Sequence, residues 1–162
     1  MADEVVRPVD GDGPARLIWT YEPMSAAGGP APPAVIYAMV TADGSKVKIG
    51  ACEHGGNALR RRTAVERTLR SKFDDESLYP LELAVVSEIE GLALGDDRDE
   101  AWDERWKEVE HLESAMRLAV ARRVGRLSRL VDYVEVERVP ISWSETMDAA
   151  WIGVLRLASG ST

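Results

Sequence analysis

A single cysteine, Cys52, and only two histidines, His54 and His111, occur in 162 residues. A lone cysteine makes no internal disulfide, so a reducing cytoplasm is the expected compartment. His54 and Cys52 lie close in sequence, but two ligands do not make a zinc site. No apolar run approaches the ~20 residues that span a bilayer, so no membrane partner is expected. The opening segment, MADEVVRPVDGDG, is acidic and lacks the apolar stretch of a secretory signal. The chain also lacks a phosphate-cradling glycine loop, a Ser–His–Asp motif and any internal repeat. Its 45% hydrophobic and 30% charged content is that of a globular domain, and its length suits one core.

The net charge of −8 argues against a general duplex binder, whose affinity rests on neutralised phosphates. The charge is unevenly spread, however. Six bases (Arg60, Arg61, Arg62, Arg67, Arg70, Lys72) face one acid, Glu66, between Leu59 and Lys72. Five arginines and no acid lie between Arg117 and Arg129, and eleven acids crowd Glu88 to Glu113. Such segments present either solvated helix faces or a local positive surface on an acidic protein.

Residues 1–33 are rich in Gly, Pro and Ala and read as an irregular arm, with one short strand around Leu17, Ile18, Trp19 and Tyr21. Val35 to Val40 is apolar on both faces, as a central strand is. Asp43-Gly44 reads as a two-residue hairpin turn leading to a second strand, Lys46 to Ala51. That pairing sets Tyr37 opposite Gly50 and puts Tyr37, Met39, Lys48 and Gly50 on one face. Asn57 is read as the cap of a helix from Ala58 to about Phe73, and Leu78 to Ile89 as a third strand. Trp102, Val109, Leu112, Met116 and Val120 recur at helical spacing in a long helix from about Glu100 to Arg123. Val131 to Val139 alternates as a fourth strand. Ser142 to Leu157 forms a last helix, with Trp143, Met147, Trp151 and Leu155 expected on the core. The fold class is α+β: a small antiparallel sheet (domain 34–139) flanked by helices, with the arm before it and a C-terminal helical segment, 140–162, packed on it.

Val35-Ile36-Tyr37 followed by Lys48-Ile49-Gly50 resembles the paired strands of the GIY-YIG nucleases, in a branch whose second motif reads KIG. A helix bearing arginine, a strand, a helix bearing glutamate and a strand with Asp132-Tyr133-Val134 follow in the same order, over roughly residues 34–137. The sequence departs from the family at Val35, where the family has glycine, and at Lys48, where it has tyrosine. The resemblance implies a metal-dependent endonuclease that hydrolyses a DNA phosphodiester with one Mg2+ (or Mn2+). A carboxylate suits such a hard cation, the metal activates water, and a guanidinium stabilises charge developing on the phosphoryl oxygens.

Residue by residue, Tyr37 matches the tyrosine that helps activate water. Lys48 stands at the second tyrosine and is suited to binding phosphate as a point charge. Arg61 is the preferred arginine, with Arg62 in reserve. Glu113 is the metal ligand, because it falls roughly 50° from the centre of the helix's apolar stripe while Glu110 falls roughly 110° away. Read without the family, Glu113 is a rim residue paired with Arg117 at i+4. Arg60, Arg67, Arg70 and Lys72 are expected to hold the DNA backbone. The alternatives are a catalytically inactive nucleic-acid-binding module of the same fold, or a protein-interaction domain.

Overall fold

The computed structural model describes residues 16–19, 33–95 and 100–158. Six strands form one antiparallel sheet: β1 (Arg16–Trp19), β2 (Pro33–Val40), β3 (Lys46–Cys52), β4 (Glu82–Ala93), β5 (Gly125–Leu127) and β6 (Tyr133–Val136), in the spatial order β1-β4-β2-β3-β6-β5. Three α-helices accompany it: α1 (Gly55–Arg70), α2 (Glu100–Val124) and α3 (Trp143–Ala158). The α+β class and the C-terminal helix are as expected. Most of the 1–33 arm lies outside the described residues, but its short strand is β1, hydrogen-bonded to β4 at the sheet edge.

Alternation divides the strand side chains between two cores. Ala34, Ile36, Ala38, Val47, Ile49 and Ala51 face one side, where α2 supplies Val109, Met116 and Val120 and α3 supplies Met147, Trp151 and Leu155. Val35, Tyr37, Met39, Cys52 and Val86 face the other, covered by Ala58, Val65 and Leu69 of α1. The C-terminal helix therefore packs as its four-residue spacing of large apolar side chains requires, with Trp151 fully enclosed. Full burial of such a side chain contributes about 1.5–3 kcal/mol or more.

The hairpin register agrees with the sequence reading: Tyr37 opposes Gly50, Met39 opposes Lys48 and Val40 opposes Val47. The turn itself differs. Gly44 N–H donates to Thr41 O, so Ala42 and Asp43 are the central turn residues, and Gly44 follows with φ 76°. Lys46 N–H donates to Thr41 Oγ1. Asp43 Oδ1 accepts from Thr41 Oγ1, Ser45 N and Ser45 Oγ. These side-chain bonds replace the tight two-residue turn without shifting the strands.

Several boundaries move. The first helix starts at Gly55 with His54 at its cap position, so Asn57 lies inside it. The third strand begins at Glu82, because Glu76–Leu78 forms a 3-10 turn ahead of it. The fourth expected strand shortens to Tyr133–Val136, and α2 ends at Val124, where Gly125 opens the hairpin partner β5.

Candidate active site

The site forms where the sheet steps. β3 runs from Lys46 to Cys52, but β6 pairs only with Lys46, Val47 and Lys48. The last bond on that side is from Ile49 N–H to Asp132 O. Beyond it, among the described residues, β3 has no ladder partner there. A side chain from α2, on the opposite face, thereby comes into electrostatic range of groups on the α1 face. Arg61 from α1 and Glu113 from α2 both act electrostatically on Tyr37 of β2 and on Lys48 of β3 there.

Tyr37 is fully buried, with its ring laid over Gly50. The space opposite Tyr37, where Gly50 has no side chain, is filled by its own ring. A Cβ at position 50 would collide with the hydroxyl end of that ring, so glycine is a steric requirement. The Tyr37 hydroxyl makes no hydrogen bond of good geometry to protein atoms. The Arg61 guanidinium lies near enough to interact with it electrostatically. Burial pushes the phenol's pKa up, the potential ionisation of Cys52 adds to this, and Arg61 opposes it. At neutral pH it is a neutral O–H donor. Cys52, also buried, is pushed up to about 11 by the same loss of solvent and is an unreactive thiol.

Lys48 is half-buried, and desolvation lowers its pKa, with Asp132 and Glu113 opposing. Its ammonium lies 5.8 Å from the centre of the Tyr133 ring. Arg61 is exposed overall, and its Nη1 approaches Ala51 O at 3.5 Å. Glu113 is shielded, and its pKa is raised first by burial and then by Asp132, against the pull of Arg117 and Lys48. Arg117 holds both acids, donating to Glu113 Oε1 at 2.6 Å and to Asp132 Oδ1 at 2.8 Å. The i+4 pairing read from the sequence is thus present together with proximity to the site. Asp132 adopts φ 71°, a left-handed conformation that aspartate tolerates better than most residues.

The arginines separate cleanly. Arg62 donates to Leu81 O while Glu66 accepts from Leu81 N–H, so this pair fastens α1 to the chain entering β4. Arg62 therefore belongs to the scaffold, and Arg61 faces the site. Arg70 lies 4.0 Å over the Tyr79 ring and bonds Glu76 at 2.8 Å. Arg60 and Arg67 are exposed on α1 but do not line the groove beside the site. Lys72 does line it.

That groove, of about 510 Å³, runs between α1 and the segment 129–133 and is bounded by Lys48, Arg61, Lys72 and Arg129. Asp132 and Arg117 were visible in the sequence only as part of a weak triplet and an i+4 pair. Arg129 was one of five arginines, with no signal to single it out. No protein-family model matches the chain, and no curated protein or solved structure gives a significant match.

Among the described residues there is no cluster of three His, Cys, Asp or Glu side chains arranged for a metal. A magnesium ion that keeps most of its water and takes one or two carboxylates plus a substrate phosphate needs no such cluster. Glu113, with Asp132 beside it, fits that limited role, each with one carboxylate oxygen engaged by Arg117. The residues do not fit a closed, all-protein metal cage.

Proposed function

We propose that this protein hydrolyses a DNA phosphodiester at the sheet step, as a metal-dependent endonuclease of GIY-YIG type. What supports the reading is that Arg61 and Glu113 both lie within electrostatic range of Tyr37 and of Lys48, although the four come from four elements and are spread over 77 positions of sequence. Arg61 and Lys48 neutralise the phosphate and the charge that grows on it. Tyr37, a neutral phenol buried beside Arg61, acts through that guanidinium and helps to hold it toward the phosphate. Glu113, assisted by Asp132, would hold the divalent ion, which when bound supplies Lewis acidity and lowers the pKa of bound water. DNA approaches over Lys72 and Arg129. Arg70 is removed from that path by Glu76 and Tyr79.

The test is cleavage of mixed single-stranded, duplex and branched DNA with and without Mg2+ or Mn2+. Metal-dependent cleavage, lost in Glu113→Gln and slowed at the chemical step in Arg61→Ala with binding kept, is the expected result. No cleavage of any substrate under any metal condition sinks the reading. The Arg117 clamp on Glu113 favours one competitor, a catalytically inactive nucleic-acid-binding module, which would bind DNA equally well with or without metal and with or without the Glu113 carboxylate.

A further inference from the structure

The groove beside the site has a construction that phosphate binding alone does not explain. Its floor is apolar: Val65, Leu69 and Tyr133 are buried there, with Leu130 packed alongside. One wall carries Ala64 and Thr68 of α1. The other carries Val131, which is 77% exposed although it is a large aliphatic residue. Cations stand around the rim, Lys48 and Arg61 at the active-site end with Lys72 and Arg129, against one acid, Asp132, that Arg117 already holds. The chain as a whole carries −8, so this concentration of positive charge is local.

The far wall is also preformed. Leu130 N–H donates to Ser128 Oγ, Tyr133 N–H to Leu130 O, and Ile49 N–H to Asp132 O, which ties the segment to β3. A groove of about 510 Å³ lies within the ~300–1,000 Å³ usual for small-ligand sites. A duplex offers such a groove only sugar-phosphate, which would leave the apolar floor uncovered. An unpaired nucleotide offers both a flat apolar base and a phosphate.

We propose that this groove seats one unpaired nucleobase of the DNA strand, its phosphate drawn toward Lys48 and Arg61. The inference rests on the nuclease reading and adds a substrate class to it: DNA with a single-stranded, frayed or extrahelical nucleotide next to the scissile bond. Base contacts to an apolar or aromatic surface are sequence-tolerant, so the groove selects for unpairedness rather than for a particular base. Thr68, exposed on α1 with its hydroxyl on Ala64 O, is the position from which a large side chain fills the groove without entering the core.

The experiment measures binding of the full-length chain in EDTA, so that it does not depend on catalysis. The probes are an oligothymidylate, the same strand with one abasic position, and a blunt duplex. Wild type is expected to prefer the intact strand over the abasic one by roughly tenfold, and over the duplex. Thr68→Trp is expected to abolish that preference while retaining salt-sensitive binding to all three. Lys72→Ala with Arg129→Ala is expected to weaken all three and lower the salt slope by up to roughly 0.7 per lost contact on single strands. Melting curves establish that Thr68→Trp is folded. If it is not, Val131→Ser, at an exposed position, is read instead and is expected to cut the preference severalfold. Equal affinity of wild type for intact and abasic strands overturns the proposal, as does a preference that survives in the folded plugged variant. Cleavage with magnesium but no base preference removes this groove and leaves the nuclease reading. Base preference without cleavage under any metal removes the nuclease reading and leaves the groove.

Discussion

On one face of the sheet, α2 and α3 set Val109, Met116, Val120, Met147 and Trp151 against Ile36, Ala38, Val47 and Ile49. On the other, the single helix α1 covers Tyr37, Met39 and Cys52, and the neighbouring elements add Tyr79 and Tyr133. The strands are shared, so the two cores differ only in which alternate residues they receive and what lies over them. The two-helix face is hydrocarbon with a stacked pair of indoles, Trp102 and Trp106, 5.7 Å apart. The one-helix face buries three phenols and a thiol, and its side toward β6 opens into a cationic groove. One face holds the molecule together. The other buries its polar atoms under one helix and opens at its edge into the groove beside Lys48 and Arg61.

That division predicts a graded set of responses. The largest is for Trp151→Ala, which removes a fully enclosed indole and should cost about 3–5 kcal/mol in denaturant unfolding. A loss below about 1 kcal/mol would mean that α3 is not integral to the core. Next is Gly50→Ala, whose Cβ collides with the Tyr37 ring and should cost about 1–3 kcal/mol. In a Tyr37→Leu background the same change should cost much less. A double-mutant cycle that is additive would show that the glycine serves something other than the ring.

A smaller effect separates adjacent arginines. Arg62→Ala should lose about 1 kcal/mol by removing the donor to Leu81 O. Arg61→Ala should leave stability nearly unchanged while abolishing fast cleavage. Equal stability losses for the two would erase the distinction between scaffold and site.

The smallest effect on stability concerns Glu113. Its pKa is raised in the folded protein, chiefly by burial and secondarily by Asp132. The folded state therefore binds this proton more readily than the unfolded chain. Stability from this group is highest at acid pH and declines as pH rises through the window from the ordinary glutamate value up to the folded one. Glu113→Gln should remove that decline and leave stability at neutral pH equal to or slightly above wild type, even as cleavage is lost. A stability curve for the variant that falls below wild type only above the glutamate range would show that the Arg117 pair outweighs the burial. That outcome would return Glu113 to a structural role.

Much of the architecture was legible because it depends on short-range periodicity. Val35 to Val40, the hairpin register, the stripe on α2 and the four-residue spacing of Trp143, Met147, Trp151 and Leu155 each state their own partner face. The turn was less legible. The Asp-Gly dipeptide signals a hairpin, but the hydroxyl of Thr41 and the carboxylate of Asp43 redirect the backbone bonds, and only their geometry shows it. Pairing of β5 with β6 was also hidden, since three residues, Gly-Arg-Leu, have no period to read.

The sequence by itself determined the longer helices and strands, the face on which Tyr37 and Lys48 lie, and the concentration of bases on α1, because each follows from spacing along a helix or strand. Only the tertiary structure decided which charges are available. Arg61 and Arg62 are indistinguishable as neighbours in a row, yet one meets Tyr37 and the other is fastened to Leu81. Arg70 is taken by Glu76 and Tyr79, while Arg129, distant in sequence from α1, completes the groove with Lys72. Glu113 comes into range of groups on the opposite sheet face because β6 ends where β3 continues. Such availability depends on which partner a long side chain finds first, and those partners come from elements far apart in the chain.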